Sequence, residues 1–268
     1  MNRLEQLKAL NRMLLAEMPR YRRAAAAFGG EEREQRRLLR VLMNVRPPFP
    51  LSPEFLALQD QVLSAEREEK GVVDPFSLPA TAADPRLALW QGDITRLAAD
   101  AIVNAANSAL LGCFCPEHGC IDNAIHSAAG LQLREECHQM MAAQGHEEPT
   151  GGAKLTGGYN LPARHVLHTV GPIVSGPLTQ EDREALASCY RSCLALAAEH
   201  GLASAAFCCI STGEFRFPGR EAARIAVKTV QESLEENSSV KRVVFNVFKD
   251  ADAAVYRELL GPDQPAAG

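Results

Sequence analysis

Short apolar runs alternate with longer segments of helical periodicity from residue 87 onward. This alternation restricts the fold more than any other feature, because repeated strand and helix units form layered α/β domains with a largely parallel sheet. The apolar runs predict strands at 87–90, 101–103, 165–170, 205–210 and 240–247. The periodic segments predict helices at 123–143, 180–200, 219–236 and 252–260. Ligands of such sheets bind beyond the carboxyl ends of the strands, so the loops after Val103 and Ile210 should carry the functional residues.

The first 70 residues show apolar side chains at helical spacing instead. Leu7, Leu10 and Leu14 define one stripe, and a second stripe spans 38–45. Ser52 followed by Pro53 predicts the start of a third helix, because serine is a good N-cap and proline suits the first helical position. We therefore predict a helical lobe at 1–70, a linker or ordered loop at 71–86, an α/β domain at 87–262 and a tail at 263–268.

Charge is distributed unevenly between these parts. Residues 1–50 carry 11 basic and 5 acidic side chains, whereas the whole chain of 268 residues has a net charge of −5. An acidic body has no general attraction to phosphate backbones, which argues against a nucleic-acid partner. No apolar run reaches the ~18 residues of a membrane helix, and the N-terminal segment does not look like a signal peptide. We therefore expect a cytoplasmic monomer with neither a nucleic-acid nor a membrane partner.

Three cysteines and a histidine lie within eight residues of one another at Cys113, Cys115, His118 and Cys120. Thiolate and imidazole ligands together are typical of a zinc site. Structural zinc sites normally use four protein ligands, whereas catalytic sites use three and keep one position open. Four candidate ligands leave both kinds of site possible, and a cluster without metal is the third alternative.

Polar loops follow two of the predicted strands. The segment 104–108 carries two asparagines that could cap turns or orient a ribose hydroxyl. Asp122 could be a helix N-cap or a carboxylate beside the metal and a bound sugar. The segment 211–219 combines hydroxyl side chains with glycines, a composition that could hold a diphosphate through backbone N–H groups. By itself this last signal is weak, because the segment is not a Walker A loop.

Taken together, these segments resemble the macrodomain family. Gly-Asp-Ile-Thr at 92–95 and Asp-Ala-Ile-Val-Asn-Ala-Ala-Asn-Ser at 100–108 match that family's first signature, which 121–130 continues. Ser-Thr-Gly at 211–213 with Phe217 and Pro218 resembles its second phosphate loop. The cysteine- and histidine-containing segment 113–120 replaces the usual run of glycines. This replacement is similar to the zinc-dependent subclass of protein-ADP-ribose hydrolases.

The resemblance implies a three-layer α/β/α fold with a mixed, mostly parallel sheet. It implies that Asp93 binds the adenine amino group and that Ile94 packs on the base. Residues facing the distal ribose would be Asn104, Asn107 and Asp122. The diphosphate would be held by Ser211, Thr212, Gly213, Glu214 and Phe215, with Phe217 nearby. The family's zinc ligands match Cys113, His118 and Cys120, so Cys115 would be the spare cysteine of an open site.

The activity implied by this resemblance is zinc-dependent removal of mono-ADP-ribose from proteins, with an ester to Asp or Glu as the expected linkage. Asp122 would orient or deprotonate water and Asn107 would hold the ribose, while the open zinc position could take either a ribose hydroxyl or a water. Two alternatives remain, namely a module that binds ADP-ribose without cleaving it and an O-acetyl-ADP-ribose deacetylase. The expected partner is an ADP-ribosylated protein, with ADP-ribose as the product. An acidic lipoyl-carrier protein that the basic lobe would recruit is one candidate for this partner.

Overall fold

The computed structural model describes residues 1–236 and 239–263, and a single six-stranded sheet organises its larger part. The strands are β1 (Leu87–Gln91), β2 (Ala101–Ala105), β3 (Ala153–Gly157), β4 (His165–Thr169), β5 (Ser204–Phe207) and β6 (Arg242–Val247). Their spatial order is β1-β6-β5-β2-β4-β3. All neighbouring strands are parallel except β3 and β4, which are antiparallel. The predicted mixed, mostly parallel sheet is therefore confirmed.

All five predicted strands are present, but the sequence did not indicate β3. Its residues, Ala-Lys-Leu-Thr-Gly, form no continuous apolar run, and glycines border it on both sides. This strand lies at the edge of the sheet and pairs only with β4. The predicted strand 205–210 ends earlier, at Phe207, because the chain leaves the sheet there and enters the loop that carries Ser211.

Helices cover the sheet in the three-layer arrangement that was predicted. In chain order they are α1 (Arg3–Glu17), α2 (Arg22–Ala25), α3 (Glu32–Val45), α4 (Pro53–Lys70), α5 (Ile121–Ala129), α6 (Leu131–Gln144), α7 (Gln180–Glu199), α8 (Gly219–Glu236) and α9 (Asp250–Leu260). Helix α5 packs against β2 and α6 against β3, while α9 packs against β1 and β6.

The single helix predicted for 123–143 is wrong, because the chain breaks at Gly130 into α5 and α6. Gly130 has a φ of +100°, which other residues rarely adopt. A Cβ atom there would lie 2.7 Å from the Gln59 amide nitrogen of α4 and 2.6 Å from the Gln132 amide oxygen. The break therefore allows α4 to approach closely, and the Gln59 side-chain oxygen accepts a 2.9 Å hydrogen bond from the first backbone N–H of α6, that of Leu131.

The N-terminal helices share one hydrophobic cluster, in which Leu10 of α1, Leu39 of α3 and Val62 of α4 are buried. Leu131 of α6 belongs to the same cluster, so the apolar interior of the N-terminal helices continues into the α/β domain. The predicted start of α4 is confirmed, since the Ser52 hydroxyl accepts a hydrogen bond from the backbone N–H of Phe55.

The segment 71–86 lies against the sheet domain. Val73 bridges to Leu97, and a short 3-10 turn spans Pro75–Ser77. The buried Arg242 side chain donates hydrogen bonds to the carbonyl oxygens of Pro75 and Leu78. Within the described ranges no helix is both long and apolar enough to cross a membrane. Of the predicted tail 263–268, residues 264–268 lie outside the described residues.

Candidate active site

Two asparagines from β2 and its loop hold the carboxylate of Asp122. Asn104 is the last residue but one of β2, and its amide nitrogen donates to one carboxylate oxygen of Asp122 at 2.8 Å. Asn107 lies in the following loop and donates to the other oxygen at 3.3 Å and to the Gly112 carbonyl oxygen at 3.1 Å. Asp122 itself lies in the first turn of α5. The structure therefore brings together the three residues assigned to the distal ribose.

Asp122 is 5% exposed and Asn104 is fully buried, so Asn104 contacts the carboxylate from the interior of the protein. Burial raises the pKa of Asp122 to about 6, although the hydrogen bond from Asn104 and the nearby Arg134 charge act in the opposite direction. A carboxyl group with such a pKa is suited to accept and release a proton near neutral pH. The arrangement therefore places a carboxyl group with the properties of a general base at the carboxyl edge of the sheet.

Three of the four candidate metal ligands converge beside this carboxylate. The ligand atoms of Cys113, His118 and Cys120 all lie within 4.8 Å of one another, and Cys113 Sγ is 3.5 Å from His118 Nδ1. Cys115 is exposed and does not belong to the group. Two thiolates and one imidazole suit zinc with one position left open. Cys120 is also the N-cap of α5, two residues before Asp122.

A second group of potential ligand atoms lies buried behind Asp122, at His126, Cys137 and His168. The two ring nitrogens of His168 already have partners, the Asn104 amide at 3.2 Å and the Thr156 hydroxyl at 2.9 Å. We therefore assign this group to the packed interior. His126 Nε2 lies 3.5 Å from an Asp122 oxygen.

The loop assigned to the diphosphate begins at Ser211 and contains two strained residues. Ser211 and Arg216 have φ values of 63° and 58°, and the Phe217 N–H donates to the Ser211 carbonyl oxygen at 2.9 Å. Gly171 lies opposite, where a Cβ atom would be 2.0 Å from the Ser211 hydroxyl. The Ser211 hydroxyl is buried and has no hydrogen-bond partner among the described residues. Phe217 is 2% exposed and supports the loop from the core.

Asp93 lies after β1 with its two carboxylate oxygens in different surroundings. One oxygen accepts hydrogen bonds from the Thr95 N–H at 3.0 Å and the Thr95 hydroxyl at 2.7 Å. The other lies 3.8 Å from the Lys70 ammonium group of α4. Asp93 therefore caps a turn with one oxygen and has the other beside Lys70, while the neighbouring Ile94 is buried.

Sequence reasoning missed an aromatic side chain at this end of the site. Phe248 follows β6, which pairs with β1, and it is 76% exposed. Beside it, the Asn246 amide nitrogen donates to the Gly92 carbonyl oxygen at 2.9 Å. The sequence did show an aromatic residue just after a predicted strand. Only the structure shows that this strand pairs with β1, which leads into the loop of Asp93.

Comparisons with known proteins agree with this geometry. The Macro domain family model matches residues 103–226. A protein of Treponema medium named protein-ADP-ribose hydrolase is 52% identical over 249 residues, which cover 92% of this chain and 95% of the relative. A Staphylococcus aureus protein of the same name is 51% identical over 84% of this chain and 85% of its own length. A Trypanosoma brucei macrodomain solved in complex with ADP-ribose has a TM-score of 0.65 and 35% identity, over 83% of this chain and 95% of its own. The chain therefore belongs to the macrodomain family.

Proposed function

We propose that this protein is a zinc-dependent hydrolase that removes mono-ADP-ribose from modified proteins, with an ester to Asp or Glu as the linkage it cleaves. The observation that carries the proposal is the position of Asp122, fixed by two amides and two residues from the metal ligand Cys120. Relatives about 50% identical to most of this chain bear the name protein-ADP-ribose hydrolase, which supports the same activity.

In this proposal ADP-ribose lies along the carboxyl edge of the sheet. The Asp93 oxygen that lies near Lys70 accepts from the adenine amino group, and Phe248 offers an aromatic face to the base. Backbone N–H groups of 211–215 hold the diphosphate. Asn107 and Asp122 then face the distal ribose. Binding of the adenosine end positions the anomeric carbon of the distal ribose for reaction. Contacts far from the reacting bond therefore contribute to its cleavage.

The reaction breaks the bond between the anomeric carbon and the ester oxygen and adds water across it. The products are free ADP-ribose and the carboxylic acid of the protein, and the transition state has oxocarbenium character. Asp122 accepts a proton from the attacking water, while Asn107 holds the ribose and the Asp122 carboxylate in register. When bound by Cys113, His118 and Cys120, zinc would supply a Lewis acid at its open position.

The modified protein is the proposed partner, and the basic lobe is the proposed docking surface. Several lobe arginines form ion pairs inside the protein, among them Arg36 with Glu66 and Arg46 with Glu17. Arg37 is exposed and pairs with Glu34 and Glu117, and the other exposed arginines of the lobe are Arg12, Arg20, Arg22, Arg23 and Arg33. An acidic protein such as a lipoyl carrier is a complementary partner for these side chains, because opposite charges accelerate association.

The decisive experiment measures release of ADP-ribose from a mono-ADP-ribosylated protein by mass spectrometry, with and without a zinc chelator, and with metal analysis of the purified protein. We expect release that stops with the chelator and returns when zinc is added. Binding without release would favour the reader function instead. Faster cleavage of O-acetyl-ADP-ribose than of the modified protein would favour the deacetylase function.

A further inference from the structure

Helix α3 presents three polar side chains to the metal loop, which we define as residues 113–120. Arg37, Arg40 and Asn44 are three and four residues apart, so they lie on one face of the helix. This face is part of the N-terminal lobe, whereas the metal loop belongs to the sheet domain. Each of the three side chains contacts the metal loop or the first turns of α5.

The first contact fixes Glu117, the residue of the loop with the least favourable backbone. Glu117 has a φ of 53°, in the left-handed region. Arg37 binds its carboxylate through two hydrogen bonds of 3.0 and 3.1 Å. Asn44 accepts a hydrogen bond of 3.1 Å from the backbone N–H of Glu117. The strained residue next to the ligand His118 is therefore held at its side chain and at its backbone.

The second contact runs through Asn123 at the start of α5. Arg40 donates to the Asn123 side-chain oxygen at 2.8 and 3.2 Å and to the His118 carbonyl oxygen at 3.5 Å. The Asn123 amide nitrogen in turn donates to the Cys115 carbonyl oxygen at 3.0 Å, and its backbone N–H points to Cys120 Sγ at 3.4 Å. Arg40 is thereby linked to the middle and the end of the metal loop.

The third contact joins the C-terminal end of α3 to the start of the metal loop. The buried Arg134 of α6 donates to the carbonyl oxygens of Met43 and Arg46, and also to that of Leu111 at 2.7 Å. Its guanidinium lies 4.3 Å from the ring centre of Phe114 in the metal loop. The loop is consequently attached to α3 directly through Arg37, Arg40 and Asn44 and indirectly through Arg134.

We propose that α3 is a positioning element that holds the metal loop in its metal-binding shape before the ion arrives, with Arg37, Arg40 and Asn44 as positioning residues. The part of this inference that concerns zinc rests on the proposed function. A loop that is already ordered loses less conformational freedom on binding an ion, so it binds the ion more tightly. The lobe therefore serves the metal site in addition to any role in docking a protein.

The test uses full-length Arg37→Ala and Arg40→Ala variants and two measurements. The first is hydrogen exchange of the peptide containing 113–120 after the metal has been removed by chelation. The second is the zinc dissociation constant, measured by competition with a chromogenic chelator. We expect faster exchange confined to this peptide and zinc affinity weakened roughly 10- to 100-fold, the range found when residues that orient metal ligands are removed.

Arg36→Ala is the matched control, because Arg36 lies on the same helix and pairs with Glu66 inside the lobe. It should change neither zinc affinity nor exchange of the metal loop. The charge swap Arg37→Glu with Glu117→Arg should restore much of what either single change loses, an outcome that general destabilisation cannot produce.

Unchanged exchange and unchanged zinc affinity in Arg37→Ala and Arg40→Ala would overturn the inference, as would an equal effect of Arg36→Ala. A wild-type protein that binds no zinc would contradict the proposed function instead. In that case the exchange measurement, which needs no metal, still decides whether α3 orders the loop.

Discussion

The ring nitrogen Nε2 of His118 lies 3.6 Å from a carboxylate oxygen of Glu214, although the two residues are almost 100 positions apart in the chain. His118 belongs to the metal loop and Glu214 to the loop assigned to the diphosphate. Glu214 is largely exposed, so a ligand can displace it easily. The two loops therefore meet over the carboxyl edge of the sheet, where the distal ribose and the diphosphate of one ligand would have to lie together.

Replacement of Asp122 by alanine should slow hydrolysis without removing the metal. We expect turnover to fall roughly 10²- to 10⁴-fold, the usual contribution of a positioned acid–base group. Zinc content should stay unchanged because Asp122 is not among the three converging ligands. Turnover is measured on modified protein, and metal by elemental analysis of the same sample. Turnover at the wild-type rate in a folded variant would exclude Asp122 as the base.

The cysteines of the metal loop should separate into ligands and a non-ligand. Cys113→Ala, His118→Ala and Cys120→Ala should each lose zinc and most of the hydrolysis. Cys115→Ser should keep both, since Cys115 is exposed and outside the converging group. Metal analysis of the four variants checks this expectation. Loss of zinc in Cys115→Ser would instead indicate a closed site with four ligands.

Asp93→Asn should weaken ADP-ribose binding while it keeps the turn. The remaining side-chain oxygen can still accept from Thr95, but the oxygen that would accept from the adenine amino group becomes a donor. A hydrogen bond to a charged group contributes about 1.5–3 kcal/mol, so calorimetry should show affinity reduced at least ten-fold. Thr95→Val is the matched control, which weakens the cap but should leave affinity close to that of the wild type.

Acid should destabilise the fold through His168. Burial lowers the pKa of His168 from 6.5 to about 3, so below pH 6.5 the unfolded chain binds a proton that the folded chain does not. Stability should therefore fall by about 2 kcal/mol between pH 7 and pH 5 on account of this residue. Urea unfolding at both pH values should show a correspondingly smaller loss in His168→Gln. The exposed His200→Gln variant should behave like the wild type in this comparison.

Charge reversal of the exposed lobe arginines should affect protein substrates only. A variant with Arg20→Glu, Arg22→Glu and Arg23→Glu should process an acidic modified protein more slowly at low salt, and the difference should shrink as salt is added. Binding of free ADP-ribose, measured by calorimetry, should not change. Equal rates on the protein substrate at low salt would show that the lobe does not recruit it.

The fold was largely predictable because strands and helices in a layered domain carry local periodic signals. Two features of the fold were not predicted. The break at Gly130 was hidden because apolar spacing continues through it, and only the approach of α4 explains why the chain must bend there. The edge strand β3 was hidden because its short, glycine-bordered sequence has no apolar run.

The residues of the site were predictable where a motif carried them, as with the convergence of Asn104, Asn107 and Asp122. The support of the metal loop was not predictable, because Arg37 and Glu117 are 80 residues apart and look like ordinary surface charges in the sequence. The same is true of Lys70 beside Asp93. Such contacts depend on how the lobe docks, and no local pattern encodes that docking.

The hydrogen bond from the Leu131 N–H to Gln59 means that a side chain of α4 caps the first turn of α6 in the sheet domain. If the N-terminal helices melted first, α6 would lose this partner at its first turn and Leu131 would be left in water. Calorimetry should accordingly record a single heat-absorption peak, with no separate early transition for the lobe. A protein fragment that begins at β1 would lack Gln59, so the N-terminal end of α6 would have no cap while the fragment folds.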